Sequence, residues 1–121
     1  MKSPDINSRT YEFSLSIINF VSEMPQSKNY QILGSQLLRS ATSVGANVVE
    51  AKCSRSKTEF TRFYEIALKS ANETRYWLSL IKDSERLIYK PGIDVLLDEN
   101  SQLCKILGSS ILTLRGKKRV N

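Results

Sequence analysis

The chain has 121 residues, 40% of them hydrophobic and 25% charged, with 18 Lys and Arg against 12 Asp and Glu for a net charge of +6. That length fits one domain with a core of its own, and the surplus of positive charge favours anionic partners. There is no histidine and only two cysteines, Cys53 and Cys104, which removes the commonest general base and metal ligand and argues against an enzyme or a metal protein; no cofactor is expected.

The first helix is expected over 4–24. Ser3 can cap it, Pro4 suits the first helical position and Asp5 the positive end of the helix dipole. Ile6, Thr10, Phe13, Ile17, Phe20 and Met24 then follow at alternating steps of four and three, the spacing of a bundle seam. Tyr11, Leu15 and Ile18 lie well round the helix from this seam, and a second apolar face of that kind is read as an oligomer interface. Pro25 ends the helix.

A second helix is expected over 30–53. Ile32, Leu33, Leu37, Leu38, Val44, Val48 and Val49 alternate with small residues, among them Gly34 and Gly45. Glycine costs about 1 kcal/mol in a helix interior relative to alanine, so its presence points to a neighbouring backbone that comes close. A third helix is expected over 57–88. Ser56 with Glu59 three residues later is a capping box, and Phe60, Phe63, Ala67, Ser70, Thr74, Trp77, Leu78 and Ile81 continue at helical spacing. Tyr89-Lys90-Pro91-Gly92 reads as a break. The fourth helix is expected over 94–115, capped by Asp94 and stopped by Gly116, leaving a basic tail over 117–121.

Four helices with short connections imply an all-α fold, an antiparallel up-down-up-down four-helix bundle spanning 1–116. That topology brings the turn between helices 2 and 3 to the same end as both termini. Lys2, Arg9, Lys52, Arg55, Lys57, Arg62, Arg115, Lys117, Lys118 and Arg119 sort to this end, against Asp5, Glu12, Glu50 and Glu59. The whole net charge then sits at one end. Lys52, Arg55, Lys57, Arg62, Arg115, Lys117, Lys118 and Arg119 become candidates for contact with a phosphate backbone, RNA or DNA. The competing reading is a solvated end whose bases complement helix dipoles. No aromatic residue interrupts the tail, so base stacking is not signalled.

Gln36, Arg39, Ser43, Asn47 and Glu50 share one face of helix 2, and Arg62, Glu65, Lys69 and Glu73 one face of helix 3. In a hairpin about Ser54–Arg55, facing residue numbers sum to roughly 110 at the antiparallel helical rise. This predicts an Arg39–Glu73 ion pair joined by Gln36, within a polar network of Gln36, Arg39, Asn47, Glu50 and Glu73 that sets register. Trp77 and Tyr76 read as core and rim packing. Cys53 and Cys104 are too far apart along the bundle to bridge. The segment Met1–Asn7 lacks a signal-peptide layout, and no apolar run approaches the roughly 20 residues of a membrane span. The expected location is cytoplasmic, with no membrane partner.

The stretch Gln36-Leu-Leu-Arg-Ser-Ala-Thr-Ser-Val-Gly-Ala-Asn-Val-Val-Glu-Ala51, with Ser56-Lys-Thr-Glu-Phe60 and Glu73-Thr-Arg-Tyr-Trp-Leu78, resembles the four helix bundle proteins of the 23S rRNA intervening-sequence family. The match covers Gln36 to Ile81, with Arg39, Ser43, Asn47, Glu50 and Phe60 in order. Many members have glycine after the matched glutamate, where this chain has Ala51. The resemblance implies a small bacterial protein that assembles into rings of five and carries no catalytic residues. A related branch, the accessory proteins of diversity-generating retroelements, is similar in being a basic pentameric barrel that binds nucleic acid and works with a reverse transcriptase. The functions implied are a homo-oligomeric nucleic-acid binder or, alternatively, a scaffold for a protein partner such as a reverse transcriptase.

Overall fold

The order of elements is α1 (Ile6–Ser22), α2 (Lys28–Lys52), α3 (Lys57–Asp83) and α4 (Lys90–Leu114). The computed structural model describes residues 5–84 and 90–116, without the side chains of 90 and 91.

Each helix start has a local cause. Asp5, not Ser3, caps α1: its Oδ1 accepts from the Ser8 N–H at 2.8 Å. Residues 1–4 lie outside the described residues. The regular part of α1 stops at Ser22, two residues before the expected Met24, because Pro25 disfavours helical backbone in the residue before it. Ser27 caps α2 by accepting from the Tyr30 N–H, which moves its start to Lys28. Ser56 caps α3 by accepting from the Glu59 N–H at 3.1 Å. Glu59 does reach back, but to the Arg55 N–H at 3.2 Å, one residue before the cap.

Two boundaries around the third connection differ from expectation. α3 ends at Asp83, since Ser84 takes an extended backbone; the expected run to Ile88 crosses into residues outside the described set. α4 begins at Lys90, so Pro91 and Gly92 open a helix where a break was expected. Proline is tolerated in a first turn, where an N–H has no helical partner. Asp94 is therefore inside α4, and its carboxylate pairs with Lys82 at 2.8 Å. Gly116 closes α4 as expected, with φ +71, a conformation that costs glycine little.

Contacts between helices give the topology. Val21 meets Gly34, and Thr10 meets Gly45, so α1 and α2 run antiparallel. Arg39 meets Glu73, and Ser43 meets Ser70, which sets α2 against α3. Lys82 meets Asp94, and Glu65 meets Arg115, which sets α3 against α4. At Gly45 a backbone does come close: an added Cβ would sit 3.4 Å from the Thr10 carbonyl oxygen. At Gly34 the neighbours are the Val21 and Met24 side chains instead.

The core divides along the bundle. One half packs Phe13, Ile17, Phe20, Leu37, Leu78, Ile81, Ile93 and Leu103 from all four helices. The other, towards the α2–α3 turn, packs Val44, Val48, Ala51, Tyr64, Ala67, Ala71, Leu107 and Ile111, with α1 contributing the partly buried Ile6 and, against Gly45, the buried Thr10. α1 has 17 residues where the others have 25 to 27. At 1.5 Å per residue it falls more than roughly 10 Å short of its neighbours. The shortfall lies mostly at its Pro25 end, since Asp5 before its first residue still comes near Lys52, and small alanines in the half towards the α2–α3 turn let α2, α3 and α4 approach.

Candidate nucleic-acid interface and polar clusters

The corner positions several of the cations expected to face phosphate. Lys52 ends α2, Arg55 stands in the turn, and Lys57 and Arg62 lie in the first two turns of α3. All four are exposed, and none forms an ion pair among the described residues. Lys52 also faces Asp5 across the α1–α2 groove. The Asp5 carboxyl is held below its ordinary range chiefly by the Ser8 N–H, with the Lys52 charge adding to it. Leu114, at the end of α4, lines a shallow groove with Arg55, Lys57 and Phe60. The chain therefore leaves α4 beside the corner. Lys117, Lys118 and Arg119 follow in sequence, outside the described residues.

Two other expected cations are occupied. Arg115 pairs with Glu65 of α3. Arg9 donates from Nε and Nη2 to the Glu99 carboxylate at 3.1 and 2.6 Å, and from Nη2 to Gln102 Oε1 at 2.9 Å. Neither Glu65 nor Glu99 is among the acids expected at this end from the sequence. Their arrival changes the balance. Among the described residues of this end, Arg9 and Arg115 are paired with acids, while Arg55, Lys57 and Arg62 are not. The positive character is local, at Arg55, Lys57 and Arg62.

The polar network is smaller than expected and divided. Arg39 pairs with Glu73 and donates to Gln36 Oε1 at 3.0 Å, as the hairpin register required. Trp77 Nε1 donates to Glu73 Oε2 at 2.9 Å. That fourth member was readable from its spacing of four along one helix. Together the Trp77 N–H and the Arg39 guanidinium hold the Glu73 carboxyl below its usual range. Asn47 belongs to a separate group: its Nδ2 donates to Ser43 O and Oγ, and Ser43 Oγ meets Ser70 Oγ at 3.0 Å. Glu50 is exposed and joins neither. The facing numbers sum to a few more than 110, as in Ser43–Ser70.

The buried polar contacts were not anticipated. Thr74 Oγ1 donates to Ser40 Oγ at 3.0 Å between α3 and α2. Asn100, fully buried, donates from Nδ2 to the Ala71 carbonyl at 2.9 Å, while its Oδ1 has no partner among the described residues. Cys104 is buried, and burial pushes its thiol up. Cys53 is exposed rather than packed, and both thiols are free. No group of three or more acidic or cysteine side chains is placed to hold a metal among the described residues. No helix among them is long and apolar enough to cross a membrane.

Tyr11, Leu15 and Ile18 form an outward stripe on α1, 65%, 40% and 43% exposed. Beside them a groove of about 600 Å³ runs between α1 and α2, floored by Gly45, Ala46 and the half-exposed Val49.

Comparison with known proteins adds a lineage to this geometry. No curated protein matches the chain. Among solved structures, it is similar to a protein of unknown function from the S23 ribosomal protein family of Bacteroides thetaiotaomicron, with a TM-score of 0.81 and 32% identity over 88% of this chain and 98% of that one. The family model described as 23S rRNA-intervening sequence protein matches residues 2–109. The match takes in α1 and most of α4 as well as the helical hairpin that carries the motifs, and the chain belongs to the 23S rRNA-intervening sequence protein family.

Proposed function

We propose that the protein is a non-enzymatic, homo-oligomeric nucleic-acid-binding bundle that meets phosphate at the α2–α3 corner. The observation that carries this reading is the set of exposed cations Arg55, Lys57 and Arg62, with Lys52 beside them, which have no ion-pair partner among the described residues while Arg9 and Arg115 are neutralised. Cations left unpaired on a rigid corner release counterions when they meet a phosphate backbone, and the affinity is then salt-dependent. Each phosphate contact lowers the log–log salt slope by roughly 0.7–0.9, so three or four contacts give a slope of about −2 to −4. Replacing Lys52, Arg55, Lys57 and Arg62 with Ser weakens binding to all sequences alike and flattens the slope. Replacing Arg9 with Gln leaves both unchanged. Binding that ignores salt, or an equal loss on changing Arg9, refutes the assignment.

Self-association rests on the stripe of Tyr11, Leu15 and Ile18 beside the α1–α2 groove. Three large apolar side chains in a row on one helix face are the surface a subunit contact buries. A ring of five is the expected assembly, and it would gather five corners on one rim. Light scattering on the wild type and on a Leu15→Glu, Ile18→Glu variant tests it: the variant falls to monomer. The same stripe supports a second reading, a scaffold that docks a protein partner such as a reverse transcriptase. A heteromeric complex that survives nuclease and is lost in that variant favours it.

A further inference from the structure

One aromatic ring stands at the basic corner. Phe60 lies in the first turn of α3, half-buried, with its ring 4.6 Å from that of Tyr64 between centroids and tilted by 32°. A shallow groove opens on each side of it. The first, about 370 Å³, is edged by Arg55 and Lys57. The second, about 310 Å³, runs over Tyr64 between α3 and α4 and is edged by Ser109, Ser110 and Thr113. Phe60 and Leu114 line both grooves, so the two are halves of one depression astride the ring.

The chemistry of the two halves differs. The first offers two cations without ion-pair partners among the described residues. Its local acid, Glu59, is turned to the Arg55 N–H, and the Arg115–Glu65 pair nearby is neutral. The second offers an aromatic floor with hydroxyls. Thr113 Oγ1 donates back to the Ser109 carbonyl, while the Ser110 hydroxyl has no hydrogen bond among the described residues. An anionic group beside a flat apolar ring, with polar edges beyond it, is the composition of one nucleotide. Both grooves are at the small end of ligand sites, which suits one base rather than an enclosed molecule. A paired base cannot reach a ring set between helices, because its faces are covered by its neighbours in the duplex. An unpaired base has a free π-face, and stacking accepts any of the four.

We infer that the depression astride Phe60 holds an unpaired base of a single-stranded nucleic acid, stacked on the Phe60 ring, while Arg55 and Lys57 take the adjoining phosphates. The inference rests on the corner being a phosphate contact and narrows its ligand from any polyanion to a single strand. The basic tail itself carries no aromatic residue. The ring comes instead from α3, brought to the cations by the helical hairpin.

The test uses the full chain and three probes: a single strand of roughly 12 nucleotides, within the range one small single-strand-binding fold covers, carrying 2-aminopurine; the same sequence as a duplex; and heparin, a polyanion without bases. The wild type is expected to prefer the single strand and to quench 2-aminopurine. Phe60→Leu, which keeps an apolar side chain but no ring, should weaken the single strand about tenfold, inside the range for losing one stacked base, and abolish the quench. It should leave duplex and heparin affinity unchanged, and Phe60→Tyr should restore single-strand binding. Unchanged single-strand binding in Phe60→Leu overturns the inference, as do equal losses for all three probes, since stacking acts on bases alone. Arg55→Ser with Lys57→Ser should weaken every probe. If that loss appears and Phe60→Leu has no effect, the corner stands and the base site falls. If no probe binds the wild type, both fall.

Discussion

Asn100→Leu should make the protein more stable. Asn100 is fully buried in α4; Nδ2 donates to the Ala71 carbonyl and Oδ1 is unpartnered among the described residues. An unsatisfied buried acceptor costs about 1–3 kcal/mol, and the single amide donation returns about 0.5–1.5 kcal/mol. Leucine removes both. The Ala71 carbonyl lies mid-helix in α3 and retains its intrahelical partner. The larger side chain gains apolar burial but crowds a filled core, and these effects oppose each other. The balance is a gain of about 1 kcal/mol, or roughly 3–5 °C in Tm for a chain of this size. Thermal and urea unfolding followed by circular dichroism at fixed protomer concentration would measure it, since self-association shifts apparent stability. Asn100→Asp should instead lose about 3 kcal/mol or more near neutral pH, because it buries an uncompensated charge. A Leu variant less stable than wild type by about 1 kcal/mol would refute the reasoning, since Oδ1 would then have to be satisfied, for instance by a buried water. The asparagine has a reason to be there despite its cost. Its bond to Ala71 fixes how α4 registers on α3, a use of buried polar groups known from helical assemblies.

Three further outcomes follow from other contacts. The Glu73 carboxyl is held low by Trp77 first and Arg39 second, so its contribution to stability is complete above the ordinary glutamate pKa and is lost as pH falls through the lower folded value. Trp77 is the only tryptophan, so its emission should titrate below the normal glutamate range, and Glu73→Gln should remove the step; a step at the ordinary value would contradict the assignment. Gly45→Ala places a Cβ at ordinary contact distance, 3.4 Å, from Thr10, and should stabilise by up to about 1 kcal/mol through helix propensity. Gly34→Ala, whose Cβ meets Val21 at 3.1 Å, should gain less, and the reverse order in thermal melts would count against the α1–α2 packing described. Arg9 and Glu99 are both mostly covered, 21% and 30% exposed, and a double-mutant cycle with Arg9→Gln and Glu99→Gln should return a coupling of about 1 kcal/mol; zero coupling would mean the pair does not order α1 on α4.

The α2–α3 hairpin shows how far the chain could be read unaided. Its capping box, its turn and its Arg39–Glu73 pair all follow from residues within a few dozen positions of one another, joined by one short turn that leaves a single register. The same locality explains the sound reading of Gly116 as the stop of α4. The errors at Ser3 and Asp94 have a local cause too. Asp5 competes with Ser3 for the cap of α1, and Pro91, taken as a break, is equally compatible with the first turn of a helix.

What the sequence by itself determined is therefore the number of helices, their seams and the residues of the turn that carries Arg55 and Lys57. Periodicity and punctuation are short-range properties, and each was complete within one element or one hairpin. Only the tertiary structure decided which charges meet. Glu99 reaches Arg9 across 90 residues, and Glu65 reaches Arg115 because α3 and α4 cross at a register that no turn of a few residues imposes. Those two pairs reduced a basic end to a basic corner. The return of α4 to the α2–α3 turn, which sets Leu114 beside Phe60, Arg55 and Lys57, completed the depression at that corner.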